Sequence, residues 1–360
     1  MDVISLARGV PAPECLPTAE LADCARAVLE ADGATALNYG PARGYAPLRT
    51  WLADRHGVEA DRIVLTNGSL QALDLLIGHF AGERRLLVEA PTYDRALRIA
   101  ERHGADAGDV PHDAEGLDLD ALAEELERDS TPALLYILPT FQNPTGRTLS
   151  AERRSRLLQL AGAYDVLLLE DDPYRLVRFE GEPVAPLFEG DSSGRVLYSS
   201  SFSKIVAPGL RVGYLVLPPN LAAELEATAT NTYLAPTFPT QAIAYEFLHR
   251  GHLEPNVARV SELLRVRRDA LLEALERDLP DASWNRPEGG YFLWLTLPEG
   301  VDGREALSRA LYAGVAFVPG SDFFRRPEEG AGAARLAFSF PSPAEIDEAV
   351  ARLATALARG

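Results

Sequence analysis

The sequence predicts an α/β fold, with a large domain on a mostly parallel sheet covered by helices on both faces and a smaller α+β domain after it. Three observations carry this. Through the first two thirds of the chain, continuous Val/Ile/Leu runs of strand length alternate with amphipathic helical patterns, the texture of strands buried on both faces. After about Pro236 the texture changes to a long arginine-rich helical stretch followed by short strands. At 360 residues, 47% apolar and 24% charged, the chain has room for one large core and a second smaller one.

Taken in order, residues 1–35 form an N-terminal segment whose helical pattern over 18–31 is expected to pack with the small domain. The large domain spans 36–236. Its strands are read at RIVLT from Arg62, LLVEAP from Leu86, ALLYILP from Ala133, VLLLE from Val166, RVLYS from Arg195 and VGYLVLP from Val212. Helices begin at Leu70 and at SAERRSRLLQL. The small domain spans 237–360, with a helix over 255–277, then YFLWLTL, VAFVP and RLAFSF as strands. The last helix opens on SPAE, where Ser342 is the N-cap, Pro343 the first helical residue and Glu345 the partner of a capping box. No internal repeat or low-complexity tract interrupts this order.

The formal net charge of −18 argues against nucleic acid and anionic membranes as partners. No apolar run reaches the length of a membrane span, and the first residues lack the basic and apolar regions of a signal peptide. Cys15 and Cys24 read as small apolar side chains of a reduced, cytoplasmic protein. His249 and His252 lie three apart without acidic or thiol neighbours, so no metal site is expected.

One lysine stands among the 35 Lys and Arg residues, Lys204 in SSSFSKIVAPGLRVGY; the other 34 are arginine. Arginine can replace a surface cation but not a nucleophilic amine, because guanidinium stays protonated. Compositional bias is the plain alternative, and the surrounding motifs decide between them. In TNGSLQAL a strand ends, Gly68 turns the chain and a helix starts at Ser69, which suits a phosphate as well as an ordinary capped helix. In FQNPTGR, Asn143 offers an amide at the carboxyl end of a strand, or simply marks a turn. In LLLEDDPYRL, Asp171 and Tyr174 end a buried strand, where a carboxylate needs a cation; a pair of acids capping a loop is the alternative. In SFSKIVAPGLR, Ser201, Ser203 and Arg211 suit a phosphate ester and Lys204 an aldehyde. Together the four supply what pyridoxal 5′-phosphate requires.

The chain resembles the fold-type I pyridoxal-phosphate aminotransferases, in the branch of the 2-aminoadipate and kynurenine aminotransferases. The resemblance runs nearly end to end, through ISLARGVPAPECLP, NYGPARGYAPLR, TNGSLQALDL, EAPTYDRA, FQNPTGR, EDDPYRL, SFSKIVAPGLRVGY, PEGGYFLWLTLP, VAFVPGSDFF and RLAFSF. It implies a seven-stranded large-domain sheet. It implies that Lys204 bonds the cofactor and shuttles the proton, that Asp171 pairs with the ring nitrogen, and that Tyr174 and Asn143 hydrogen-bond the ring's 3-oxygen. Tyr93 would stack on the ring. Gly68, Ser69, the N–H of Leu70, Ser201, Ser203 and Arg211 would hold the phosphate, and Tyr39 would reach the phosphate of the partner in a homodimer. Arg335 would clamp the substrate α-carboxylate, helped by Asn143 and the backbone near Gly9.

Two departures bear on substrate. Members usually carry a further N-terminal stretch with a mobile helix that can supply an arginine to an acidic side chain; this chain is expected to lack it. Members also usually have Gly-Gly where this chain has Arg8-Gly9, so Arg8 either replaces the lost cation or faces solvent. The expected activity is ping-pong transamination between large neutral or aromatic L-amino acids, with 2-aminoadipate as a further candidate, and 2-oxoglutarate. A lyase or decarboxylase on the same cofactor is one alternative. The sensor domain of a transcription regulator is another, disfavoured by the charge and by the want of a basic DNA-binding module.

Overall fold

A computed structural model describes residues 3–129, 131 and 133–358. Its main sheet has the strand order Ile63–Thr66, Gly213–Val216, Val196–Ser201, Leu167–Asp171, Ala133–Ile137, Arg85–Ala90, Ala107–Asp113 and Gly116–Leu117. The five strands from 196–201 to 107–113 run parallel, while 213–216 is antiparallel to both its neighbours. The first seven match the sheet implied by the resemblance. The eighth is a two-residue addition, antiparallel to Ala107–Asp113.

The strand Ala107–Asp113 is missing from the run of strands read directly from the sequence. It contains Asp109, Pro111 and His112, and only Val110 is fully buried. A strand near a sheet edge has one well-covered face, so it carries no continuous apolar run to announce it. The central strands do. Their side chains alternate between two cores: Leu86, Val88, Leu134, Tyr136 and Leu169 pack under the helices Ser69–Phe80 and Asp94–His103, while Leu87, Leu135, Ile137 and Leu168 pack under Leu119–Arg128 and Ala151–Ala163. This is period 2 read on a doubly covered sheet.

A second, antiparallel sheet has the order Ser283–Trp284, Phe292–Thr296, Ala333–Ala337, Val318–Pro319. The helices Leu253–Asp278 and Pro343–Leu357 pack against each other beside it. The capping box of the last helix forms as the sequence predicts: Glu345 N–H donates to Ser342 Oγ at 3.3 Å and Ser342 N–H to Glu345 Oε2 at 2.7 Å. The N-terminal segment joins this half through Ile4–Ser5, which pairs in parallel with Val315–Ala316. Its helix, Thr18–Ala36, lies on Phe238–His249.

All strands that point their carboxyl ends the same way in the main sheet deliver their following loops to one edge. Thr66, Ala90, Ile137, Asp171 and Ser201 end there, and the antiparallel Gly213–Val216 begins there. Ligands of open α/β sheets bind at such an edge.

Candidate active site

At that edge lies a cavity of about 350 Å³. Ten of the residues singled out in the sequence line it: Gly9, Ser69, Tyr93, Asn143, Asp171, Tyr174, Ser201, Ser203, Lys204 and Arg335.

Lys204 sits in the turn after Val196–Ser201. The Tyr291 hydroxyl donates to its carbonyl at 2.7 Å and Asn256 Nδ2 to that of Ile205 at 2.5 Å, so the C-terminal half fixes the backbone on which the amine is carried. Lys204 Nζ donates to the Gly9 carbonyl at 2.7 Å. Burial, then the charges of Arg335 and Arg211, push its pKa down to about 8, with Asp171 opposing. A neutral amine is therefore populated near physiological pH.

The run Glu170-Asp171-Asp172 presents three buried acids, and strand alternation sorts them. Glu170 accepts the N–H groups of Leu187 and Phe188 at 2.9 Å each. Asp172 faces Arg175 at 3.0 Å and the Tyr198 hydroxyl at 3.1 Å. Asp171 lies between them and alone of the three lines the cavity. Its Oδ2 accepts from the Tyr136 hydroxyl at 2.9 Å; its Oδ1 is buried with no hydrogen-bond partner. Burial raises its pKa to about 7 against the hydrogen bond from Tyr136, and the neighbouring Asp172 raises it further. A buried carboxylate oxygen without a donor fits a protonated ring nitrogen, which supplies both a proton and an opposite charge.

Arg335 is on the strand Ala333–Ala337, paired in register with Trp294 on one side and Val318 on the other. Its Nη1 donates to Asn143 Oδ1 at 2.8 Å and its Nη2 to the Ala7 carbonyl at 2.9 Å; Nε is buried without a partner. The guanidinium carbon lies 4.2 Å from the centre of the Phe292 ring and 4.9 Å from that of Phe323. Its pKa is pushed down to about 10 by burial. Arginine only donates, so the contact fixes the Asn143 amide with its oxygen toward Arg335 and leaves Nδ2 as a donor. Tyr174 and Tyr93 are both held protonated, the first far above the ordinary tyrosine range and the second at about 12, chiefly by burial.

At the other end of the cavity, Gly68 takes φ +85° before the helix Ser69–Phe80, and a Cβ there would strike the Arg211 guanidinium. Arg211 itself is in the left-handed region, φ 53° and ψ 47°, and its Nη2 donates to the Asn67 carbonyl at 2.9 Å. Ser201 Oγ donates to Ser203 Oγ at 2.9 Å.

Five of the expected residues do not line the cavity. Gly68 is next to it, and Leu70 and Arg211 face an adjoining groove. Tyr39 is 84% exposed on the chain's surface. Arg8 is exposed with its guanidinium carbon 4.9 Å from the Phe340 ring centre, and its neighbours Ala7 and Gly9 supply carbonyls instead. Among the described residues no group of three or more His, Cys, Asp or Glu could hold a metal, and no helix is long and apolar enough to cross a membrane.

Sequence reasoning missed several contributors. Tyr136 reads in the sequence as one more residue of an apolar strand. Glu89, 3% exposed, accepts from the Leu138 N–H at 2.9 Å and faces His112 Nε2 at 3.1 Å, bracing the loop that carries Asn143. Gln142 ties the same loop to the Pro91 carbonyl at 2.8 Å. A charged residue closing the apolar run LLVEA was the available signal for Glu89. Asp94, Arg95 and Phe292 also line the cavity unannounced.

The model of the family described as aminotransferase class I and II matches residues 2–353. The chain belongs to that family. The aminotransferase is 40% identical to aromatic-amino-acid aminotransferase 1 of Thermococcus litoralis, over 98% of this chain and 87% of that one. Among solved structures it resembles the kynurenine aminotransferase of Pyrococcus horikoshii, with TM-score 0.95 and 37% identity over 100% of this chain and 91% of that one. It also resembles the α-aminoadipate aminotransferase of Thermus thermophilus, solved with N-(5′-phosphopyridoxyl)-L-leucine, with TM-score 0.93 and 37% identity over 99% and 92%. The aminotransferase has the fold-type I architecture, and its cofactor is pyridoxal 5′-phosphate.

Proposed function

We propose that this aminotransferase moves the amino group of a range of large neutral, aromatic and dicarboxylic L-amino acids to 2-oxoglutarate by a ping-pong mechanism. The observation that carries this reading is Arg335. A buried guanidinium with no carboxylate partner among the described residues is a strong anchor for one that arrives with the substrate. It lies in the same cavity as Lys204. Amino donor and oxo-acid acceptor both carry an α-carboxylate, and both need this one anchor. They must therefore occupy the site in turn, which is the reason for two separate half-reactions.

When bound, pyridoxal phosphate supplies the electron sink that makes the substrate Cα–H acidic. The roles we propose for the chain are those the family resemblance implies, and the geometry of its own groups supports them. Asp171 Oδ1 would keep the ring nitrogen protonated, while the Tyr136 hydroxyl fixes the other carboxylate oxygen. Asn143 Nδ2 and the Tyr174 hydroxyl would hold the ring's 3-oxygen, and Tyr93, which also lines the cavity, would pack against the ring. Ser69, the N–H of Leu70, Ser201, Ser203 and Arg211 receive the phosphate, as helix starts and guanidinium do for anions. Lys204, neutral in part because its pKa is about 8, takes and returns the proton at Cα. The Tyr93, Phe292 and Phe323 rings exclude water around Arg335.

We read the working unit as a homodimer in the cytoplasm, with Tyr39 completing the partner's phosphate site. Support comes from the exposed Leu37, Tyr39, Leu70 and Leu234, which are 70%, 84%, 38% and 55% accessible; both cysteines are free and buried. We assign 36–236 to the cofactor domain and 237–360 to the small domain, with 1–35 joined to the latter. The test is a half-reaction screen of amino acids against the pyridoxal form, followed by its absorbance. Conversion to the pyridoxamine form by amino acid alone, reversed by 2-oxoglutarate, is the expected result. Release of ammonia or carbon dioxide instead would mark a lyase or decarboxylase.

A further inference from the structure

Five charged side chains line the cavity: Lys204, Asp171, Arg335, Asp94 and Arg95. The first three have roles in the reading above. Asp94 and Arg95 do not. They open the helix Asp94–His103, directly after Tyr93. Arg95 Nη1 lies 3.4 Å from Asp94 Oδ2, and Arg98 Nε lies 3.9 Å from the same oxygen. The Asp94 side chain is 21% exposed and that of Arg95 47%, so the pair stands at the mouth rather than the floor. Both charges are felt inside: Asp94 acts on Arg335, and both act on Tyr93.

We propose that Arg95 is the residue that selects a second carboxylate on the substrate, and that Asp94 is its resident counter-ion when the substrate side chain is neutral. The inference rests on the aminotransferase reading and names the specificity residue of that same site. With Arg335 taken by the α-carboxylate and Lys204 by proton transfer, Arg95 is the remaining cation of the cavity lining. A half-exposed ion pair between adjacent residues is weak, worth on the order of 0–1 kcal/mol, so a dicarboxylate can take Arg95 from Asp94. Arg98 then stays beside Asp94 as its partner. A leucine or aromatic side chain leaves the Asp94–Arg95 pair closed and meets a neutralised rim. One cavity thus accepts both classes without an arginine buried unpaired in either state. Arg8, on Phe340 outside the lining, is left without this role.

The test measures binding of two unreactive acids to the holoenzyme by calorimetry: glutarate, with two carboxylates, and 4-methylpentanoate, with one. Half-reactions with glutamate and leucine run beside it. Arg95→Ala and Arg95→Gln should each weaken glutarate about 20-fold and 4-methylpentanoate less than about 3-fold, the range for losing one charge-assisted pair at a partly exposed site. Asp94→Asn should tighten glutarate about 3-fold, because Arg95 loses its competitor. Equal weakening of both acids in both Arg95 variants, or glutarate binding that none of the three changes alters, overturns the inference. Conversion by leucine in the parent alongside such a result would leave the aminotransferase reading standing; no conversion by any amino acid would remove that reading itself.

Discussion

The two ends of the cavity differ in how far the residues assigned to them are buried. At the ring end, Asp171, Asn143 and Arg335 are 5%, 4% and 8% exposed, and Tyr136, Arg335 and the Ala7 carbonyl respectively hold them in place. At the end proposed for the phosphate, Ser201 and Ser203 are 3% and 9% exposed, but Leu70 is 38% exposed, Arg211 is exposed, and Tyr39 stands 84% in solvent, away from its own chain's cavity. A buried, cross-braced group is set by its own chain and costs no ordering when ligand arrives. An exposed cation is screened by water and salt and gains strength only when something covers it. On the homodimer proposed above, the contrast would mean that proton movement is settled within one chain while tight hold on the phosphate needs a second.

The contrast can be broken at several points. The largest effect is expected at Lys204. Lys204→Arg keeps the charge but not the nucleophile, and turnover should fall by about 10⁴ or more. Borohydride should then tag no side chain, whereas in the parent it tags Lys204. Robust turnover in this variant would end the assignment.

Next comes Arg335→Ala, which should lower kcat/KM by about 2–5 kcal/mol for donors and acceptors alike. Cofactor retention should be nearly unchanged. If cofactor were lost and KM were not raised, the guanidinium would belong to the other end of the cavity.

Tyr39→Phe probes the exposed end. Cofactor affinity should drop about tenfold, the loss of one hydrogen bond to a charged group, with the spectrum of bound cofactor unaltered. Mixing it with Lys204→Ala chains should restore part of the activity, because subunit exchange yields one site with neither defect. Absence of recovery after proven exchange would make the phosphate end a single-chain structure as well.

The smallest effect concerns pH and sharpens the buried end. The Lys204 pKa is about 8 in the fold against 10.5 unfolded. The unfolded chain therefore holds more protons between those values, and this group makes stability of the cofactor-free protein rise with pH across that window. Asp171 works the other way: at about 7 folded against 3.8 unfolded, it binds more protons in the fold, so its contribution falls as pH rises from about 4 to 7. Denaturant midpoints of Asp171→Asn should show a flatter slope over that lower window than the parent. Cofactor capture should accelerate with pH up to about 8, as the neutral amine appears; a pH-independent rate would place the Lys204 pKa elsewhere.

Much of this was legible in the sequence, and the reasons differ by residue. Asp171 and Ser201 end central strands, and Asn143 and Lys204 lie in the loops that follow such strands, where apolar runs give way to polar residues. Arg335 is legible only through the family resemblance; one arginine at the start of RLAFSF does not announce a site by itself. The strand Ala107–Asp113 was not, because an edge position buries a single side chain. Tyr136 was hidden because its ring belongs to the core and only its hydroxyl serves the site. Glu89 and Gln142 are 53 positions apart in number yet meet beneath the loop that carries Asn143, and nothing local encodes that. Arg8, which stands where the family usually has glycine, is expected from the sequence either to replace a lost cation or to face solvent; the structure has it exposed on Phe340, while the carbonyls of Ala7 and Gly9 face inward. Asp94 and Arg95 read as an ordinary charged helix start, and their place at the cavity mouth is a product of the tertiary structure.

A single lysine also means a single bond open to a lysine-specific protease, the one after Lys204, and that bond lies beneath Tyr291 and Asn256. Cutting requires this turn to open, so the rate of appearance of two fragments measures how often the active site comes apart. Every other opening in the molecule is silent to such a probe. In the cofactor-free protein, protection that rises with chain concentration would measure how far self-association holds this turn closed.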